Sequence, residues 1–141
     1  MFVGEFDRSV DGNGRITLPA EYRDRLGTNC YLTAESKGCV SVSTVADFDR
    51  KAADLLEKAS RGEIGEAAIR KIARSSSLVA IDKGGRITLD ETTRARAGIE
   101  AGGQAILVGN FDRLEIWRPS RAATIAGEDD VAEPDRVWID E

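Results

Sequence analysis

Apolar residues recur along this chain with two periods. An alternation of two runs through Arg15-Ile16-Thr17-Leu18 and again through Arg86-Ile87-Thr88-Leu89, which predicts two short strands with isoleucine and leucine facing a core. The four apolar segments Cys30 to Thr33, Cys39 to Ser43, Ala105 to Val108 and Leu114 to Trp117 predict further strands. A helical repeat joins Phe48, Ala52, Leu55, Leu56 and Ala59, and another joins Ile64, Ala68 and Ile72, with Arg61-Gly62 breaking the two apart. Pro119 opens a short helix expected to reach Ile125.

The alternating strands belong to a repeat. Asp11 to Gly27 aligns without gaps on Asp82 to Gly98, 71 residues later, with nine of 17 positions identical and Gly-Arg-Ile-Thr-Leu unbroken. Each unit reads as a short apolar strand (Val10, or Leu78 to Ile81), a turn carrying Asp and Gly, a second strand through Ile-Thr-Leu and a helix of about two turns. In the first unit Pro19 suits the first helical position and Gly27 lies just past the end; in the second, Asp90 caps the start and Gly98 ends the helix. Tyr22 and Leu26 lie one turn apart on the core face, with Thr93 and Ala97 as their counterparts.

Charge changes the picture once its distribution is known. The 141 residues carry a net −5, but residues 127–141 alone hold seven acids and one arginine, so residues 1–126 come to +1 and the stretch from Arg61 to Gly98 to +3. The acidity belongs to the tail, and screening beyond ~10 Å leaves a locally basic segment able to meet a polyanion. The tail lacks a periodic face and reads as mobile; Val137-Trp138-Ile139 is its one apolar cluster that could dock. No apolar run approaches the ~20 residues of a membrane span, and the opening residues do not read as a signal peptide. The expected setting is cytoplasmic, without a membrane partner.

Two absences narrow the chemistry. The chain has no histidine, which removes the usual general base and the commonest metal ligand. Cys30 and Cys39 are too few for structural zinc and read as semi-buried thiols. Asp7 and Asp11 are the nearest approach to paired carboxylates and belong to no pocket motif. The expectation is therefore a non-enzyme with no cofactor, no metal and no small-molecule substrate.

The repeat supplies the candidate site. With Ile16, Leu18, Ile87 and Leu89 inward, Arg15, Thr17, Arg86 and Thr88 point away from the core. Gly14 and Gly85 permit a positive φ and a close approach by a backbone or a phosphate. Two such turns, brought together, would give two guanidinium forks on one edge, suited to phosphates or guanine edges. Equally, Asp11 with Arg15, and Asp82 with Arg86, could be structural turns closed by the carboxylate, and both readings of the arginines stand at this point. Arg25 and Arg94 read as ion-pair partners of Glu21 and Asp90, and Arg70, Lys71 and Arg74 as a solvated helix face.

The opening Met1-Phe2-Val3-Gly4-Glu5-Phe6, the duplicated Asp-x-x-Gly-Arg-Ile-Thr-Leu and the late Leu114-Glu115-Ile116-Trp117 resemble the MraZ family, bacterial transcription regulators related to the AbrB and SpoVT DNA-binding domains. The match covers residues 1–126. The resemblance implies an α+β fold, a double-split β-barrel of two interlocked pseudo-repeats with short helices outside. Its halves would be 1–60 (motif 11–27) and 61–126 (motif 82–98), followed by the acidic tail 127–141. It also implies a nucleoid-associated, ring-like homo-oligomer that binds tandem repeats of double-stranded DNA. The target would be the promoter of the division and cell-wall gene cluster, including the regulator's own gene, usually under repression. Arg15 and Arg86 would then contact DNA, Gly14 and Gly85 allow the approach, Lys83, Asn13, Thr17 and Thr88 add contacts, and Asp11 and Asp82 position the turns. Asn13 stands where relatives often carry lysine, the second motif has Lys83, and Asp90 stands where the family often has proline. A rival reading makes the chain an antitoxin-like or scaffolding module whose main partner is a protein.

Overall fold

A computed structural model describes residues 1–125. The acidic stretch 127–141, with Val137-Trp138-Ile139, lies outside the described residues. In chain order the elements are β1 (Glu5–Ser9), β2 (Arg15–Thr17), α1 (Ala20–Leu26), β3 (Asn29–Ala34), β4 (Cys39–Ser43), α2 (Val45–Ser60) and α3 (Glu66–Arg74). They continue with β5 (Ser76–Ala80), β6 (Arg86–Thr88), α4 (Glu91–Ala97), β7 (Gln104–Asn110), β8 (Arg113–Trp117) and α5 (Pro119–Ile125). The fold is mixed α+β, with antiparallel sheets.

Six strands form one sheet in the order β1-β7-β8-β4-β3-β5, and β2 pairs with β6 in a separate two-stranded ribbon. The strand–turn–strand of each repeat therefore does not close on itself as a local hairpin. β1 leaves its own turn partner to pair with β7, Phe6 opposite Leu107, while β5 pairs with β3, Val79 opposite Cys30. Both are edge strands, and Asp7 and Arg8 on β1 make that edge a poor template for further pairing. Alternation sets which face of a strand is buried but carries no information about its partner, so this exchange between the units was not legible from the pattern.

The faces follow the alternation. Ile16, Leu18, Ile87 and Leu89 are at most 1% exposed and join Leu32, Val40, Leu107, Leu114 and Ile116 in one core. Each such aliphatic side chain is worth about 1.5–3 kcal/mol when fully buried, so a ribbon of two three-residue strands is held mainly by its inward side chains. Tyr22 meets the rings of Phe2 and Phe6 edge-on, at 5.1 and 5.6 Å between centroids, and its hydroxyl donates to the Val3 carbonyl. This fastens the N-terminal segment to α1.

The short helices start and stop close to expectation. Pro19 is the N-cap of α1 rather than its first residue, because its ψ of 139° is extended and the helix begins at Ala20. Asp90 caps α4 by accepting the Thr93 N–H at 2.7 Å, and Gly98 closes it in the left-handed conformation. Thr44 caps α2 through the Asp47 N–H, and Phe48 stacks on Tyr31 at 3.8 Å, which ties α2 to the sheet. Cys30 and Cys39 are free thiols, buried fully rather than partly.

Candidate nucleic-acid interface

The two turns are built alike. In the first, Asp11 Oδ1 accepts the backbone N–H groups of Asn13 and Arg15 at 2.8 and 2.9 Å, while Oδ2 accepts Arg15 Nε at 2.9 Å. In the second, Asp82 Oδ1 accepts from Gly84 and Arg86 at 2.9 Å each, and Oδ2 accepts Arg86 Nε at 2.9 Å. Both carboxyls titrate below their ordinary value. The Arg15 N–H does most of this at Asp11, against a smaller opposing effect of desolvation, and the Arg86 N–H does the same at Asp82.

Each aspartate thus closes its turn and also grips the arginine by Nε alone. The Nη groups of Arg15 and Arg86 make no hydrogen bond among the described residues, and the side chains remain 34% and 40% exposed. The structural reading of these arginines is therefore realised through Nε, while the partly exposed side chains leave the Nη groups without a partner among the described residues.

Pairing of β2 with β6 places Arg15 opposite Thr88 and Thr17 opposite Arg86. Directly opposed residues share a face, so all four point outward while Ile16 and Ile87 point in. The two arginines are diagonal neighbours on that face, a separation of roughly 7–8 Å between backbones. Asn13, Lys83 and Thr88 are exposed and Thr17 is half-buried.

Gly14 and Gly85 are buried, with φ of +79° and +76°. The close approach they allow is made by the other repeat. A Cβ on Gly14 would stand 2.6 Å from the Leu89 carbonyl oxygen and 2.8 Å from Arg94 Nε. One on Gly85 would stand 2.1 Å from Arg23 Nε. Arg23 and Arg94 bend back to donate Nε to the carbonyls of Leu18 and Leu89, each at 3.0 Å, and so lie across the opposite turn. Leu18 N–H in turn donates to Gly85, and Leu89 N–H to Gly14, both at 2.9 Å.

These two helix arginines were not singled out as turn supports, although both are identical positions of the repeat. The expected Glu21–Arg25 and Asp90–Arg94 ion pairs do not form among the described residues; Arg94 is drawn back to the Leu89 carbonyl instead. Arg8 was also missed. It donates Nε to the Thr17 carbonyl at 3.0 Å and lies over the Phe6 ring, and the equivalent position of the second unit is Val79, so no repeat signal marked it. Arg70, Lys71 and Arg74 are exposed, as a solvated face requires.

Glu35, Cys39 and Glu115 place donor atoms within 4.8 Å of one another, a grouping invisible in a sequence where 75 residues separate Cys39 from Glu115. Its charge is already matched by Lys37 at 3.1 Å and Arg113 at 3.1 Å from Glu115. Burial alone would raise the Glu115 carboxyl, but hydrogen bonds from Asn110 and Lys37 outweigh it and bring the net shift down.

Comparison with known proteins decides the family. No protein-family model matches the chain. The transcriptional regulator MraZ of Pediococcus pentosaceus is 30% identical over 138 residues, covering 94% of this chain and 95% of its own. That of Lactiplantibacillus plantarum is 31% identical over 138 residues, with 94% and 96% covered. That of Mycolicibacterium gilvum reaches 34% over 118 residues, with 83% and 81% covered. The chain belongs to the MraZ family. It is accordingly a transcriptional regulator, and among the described residues no helix is long and apolar enough to cross a membrane.

Proposed function

We propose that this member of the MraZ family binds double-stranded DNA through the outward face of the β2–β6 ribbon. Arg15 and Arg86 are its principal contacts, and Lys83, Asn13, Thr17 and Thr88 flank them. The observation that carries this reading is the division of labour within each guanidinium: Nε is held by the turn aspartate and the Nη pair is left to the outside. An arginine held in this way has lost part of its rotamer freedom before binding, and its end presents a fork matched to guanine O6 and N7 or to a phosphate. Gly14 and Gly85 keep the turns low and tight, and Asp11 and Asp82 orient them.

The remainder of the reading rests on family membership. The halves 1–60 and 61–126 enclose the core as a double-split barrel, and several chains assemble in a ring. Each chain brings few cations, so affinity comes from several protomers reading tandem promoter repeats together. The regulated promoter is that of the division and cell-wall cluster, including the protein's own gene, and the usual effect is repression, exerted at the nucleoid.

The test is fluorescence anisotropy with the protein's own upstream region at two salt concentrations, with oligomer size measured in parallel. Arg15→Ala or Arg86→Ala should cost about 1–3 kcal/mol for each base-reading contact, multiplied by the number of engaged protomers. The slope of log affinity against log salt should fall by about 0.9 for each phosphate that the variant no longer neutralises. Unchanged affinity in both variants at preserved oligomer size would refute the assignment.

A further inference from the structure

Helices α2 and α3 are amphipathic, yet neither buries a single residue. Phe48, Leu55 and Ile72 are only half-buried and Leu56 is 60% exposed. Between these helices and strands β3 and β4 runs a groove of about 480 Å³ whose apolar part is Phe48, Ala52, Leu55, Ala68 and Ile72. Its rim is basic. Lys51 and Arg113 are engaged by Asp112 and Glu115, whereas Lys71 makes no ion pair among the described residues. The groove continues past Lys71 into a second hollow of about 570 Å³ edged by Arg70, Arg74 and Arg96.

A groove with an apolar floor and surplus cations at its edge fits an acidic segment that carries large apolar side chains. The chain itself contains one. Residues 126–141 hold seven acids against one arginine, and Val137-Trp138-Ile139 stands between Asp135 and Asp140. The described chain ends in α5, whose Arg121 donates Nε to the Lys37 carbonyl in the β3–β4 turn at 3.2 Å. Glu35 and Ser36 of that same turn line both hollows. Twelve residues separate Ile125 from Trp138 and span at most roughly 40 Å when extended. Because α5 already touches the β3–β4 turn that lines both hollows, the segment sets out from beside the groove and that span covers it.

We propose that the groove between α2, α3 and the β3–β4 face is the docking site for the C-terminal segment 126–141, with Val137-Trp138-Ile139 on its apolar floor and the carboxylates against Lys71 and Arg74. The segment is that of the same chain, which leaves α5 beside the β3–β4 turn. The contact is independent of the arginine turns, so DNA affinity could fail as a property of those turns without touching it.

The test uses the full chain with a photoreactive benzoylphenylalanine in place of Trp138, irradiated and mapped by mass spectrometry. Adducts are expected on α2 and α3, and their yield should fall about 5-fold when Lys71→Glu and Arg74→Glu together reverse partly screened charge pairs. Both positions are exposed, so folding is preserved; Leu55→Asp provides a second variant that breaks the floor. In the chain with both native tryptophans, acrylamide should quench Trp138 more readily in the charge-reversed variant, while buried Trp117 stays constant. Adducts elsewhere, no adducts, or yields and quenching indifferent to the substitutions would overturn the proposal. So would a change of oligomer size in Leu55→Asp without adducts from position 138, which would give the groove to the helices of a second copy.

Discussion

Substitution of the turn glycines measures the crossed packing directly, because three glycines of similar φ differ in what a Cβ would meet. Gly62, at φ +74°, has nothing within 4 Å, so Gly62→Ala carries only the backbone cost of a left-handed residue, about 1–2 kcal/mol. Gly85→Ala carries that cost and must also expel Arg23, whose Nε lies 2.1 Å from the new atom. Arg23 can swing away, but it then forfeits its bond to the Leu18 carbonyl, which adds about 0.5–1.5 kcal/mol. Gly14→Ala meets the Leu89 carbonyl oxygen at 2.6 Å, and a backbone atom cannot swing aside. The Leu89 N–H to Gly14 bond must lengthen and the ribbon shift, so the total reaches about 3–4 kcal/mol. Urea denaturation at fixed protomer concentration should therefore rank the losses Gly14 above Gly85 above Gly62. Equal losses in all three would show that the turns are not packed against the opposite repeat. In an Arg23→Ala background Gly85→Ala should add only the backbone cost of about 1–2 kcal/mol, whereas Gly14→Ala in an Arg94→Ala background should keep its collision with the Leu89 carbonyl, which separates the side-chain collision from the backbone one.

Acid titration probes the same turns. Asp11 and Asp82 titrate below their ordinary 3.8 in the folded chain, so the stability they contribute is fully present above that value and is lost as pH falls through the lower folded values. Stability measured from about pH 6 down to about pH 2 should decline below about pH 4, and Asp11→Asn with Asp82→Asn should flatten that decline; an unchanged acid slope in the double variant would refute it. Burial pushes the Cys30 thiol up to about 12 and raises Cys39 as well, with the charge of Glu35 acting in the same direction. Neither should react with a disulfide reagent at about pH 8 until the chain unfolds, when both should; prompt labelling of the native protein would contradict the burial.

Much of the local structure was legible because it depends on nearest neighbours. The helical period located α2 and α3, Arg61-Gly62 their break, and Pro119 the start of α5, since each signal acts within a turn or two of the chain. The inward and outward faces of β2 and β6 followed from alternation. The partners of β1 and β5 did not, because nothing in Glu5–Ser9 distinguishes pairing with β2 from pairing with β7 across the length of the chain. Arg23 and Arg94 show the same limit at the site. Their repetition was visible, but an arginine on a two-turn helix equally fits a solvated face, and Asp90 offers Arg94 a partner one turn away. Only the arrival of the opposite turn beside each of them settles its role.

The crossed packing also explains why the two arginines have to be understood together. Each turn sits on a glycine filled by the other repeat's helix arginine, and each ribbon leucine donates its N–H to the other repeat's glycine. The position of Arg15 therefore depends on residues near Arg94, and that of Arg86 on residues near Arg23. Neither fork can shift without straining the half that presents its twin. A duplicated sequence folded as two separate hairpins would leave the angle between its guanidinium groups to a linker. Exchanged between the repeats, the same sequence sets that angle by ribbon register and by four backbone and side-chain bonds of 2.9–3.0 Å. Departures from the internal symmetry then fall at the periphery, where Arg8 has Val79 as its counterpart and Lys83 has Gly12, and they can make the two ends of the ribbon unequal without moving the forks.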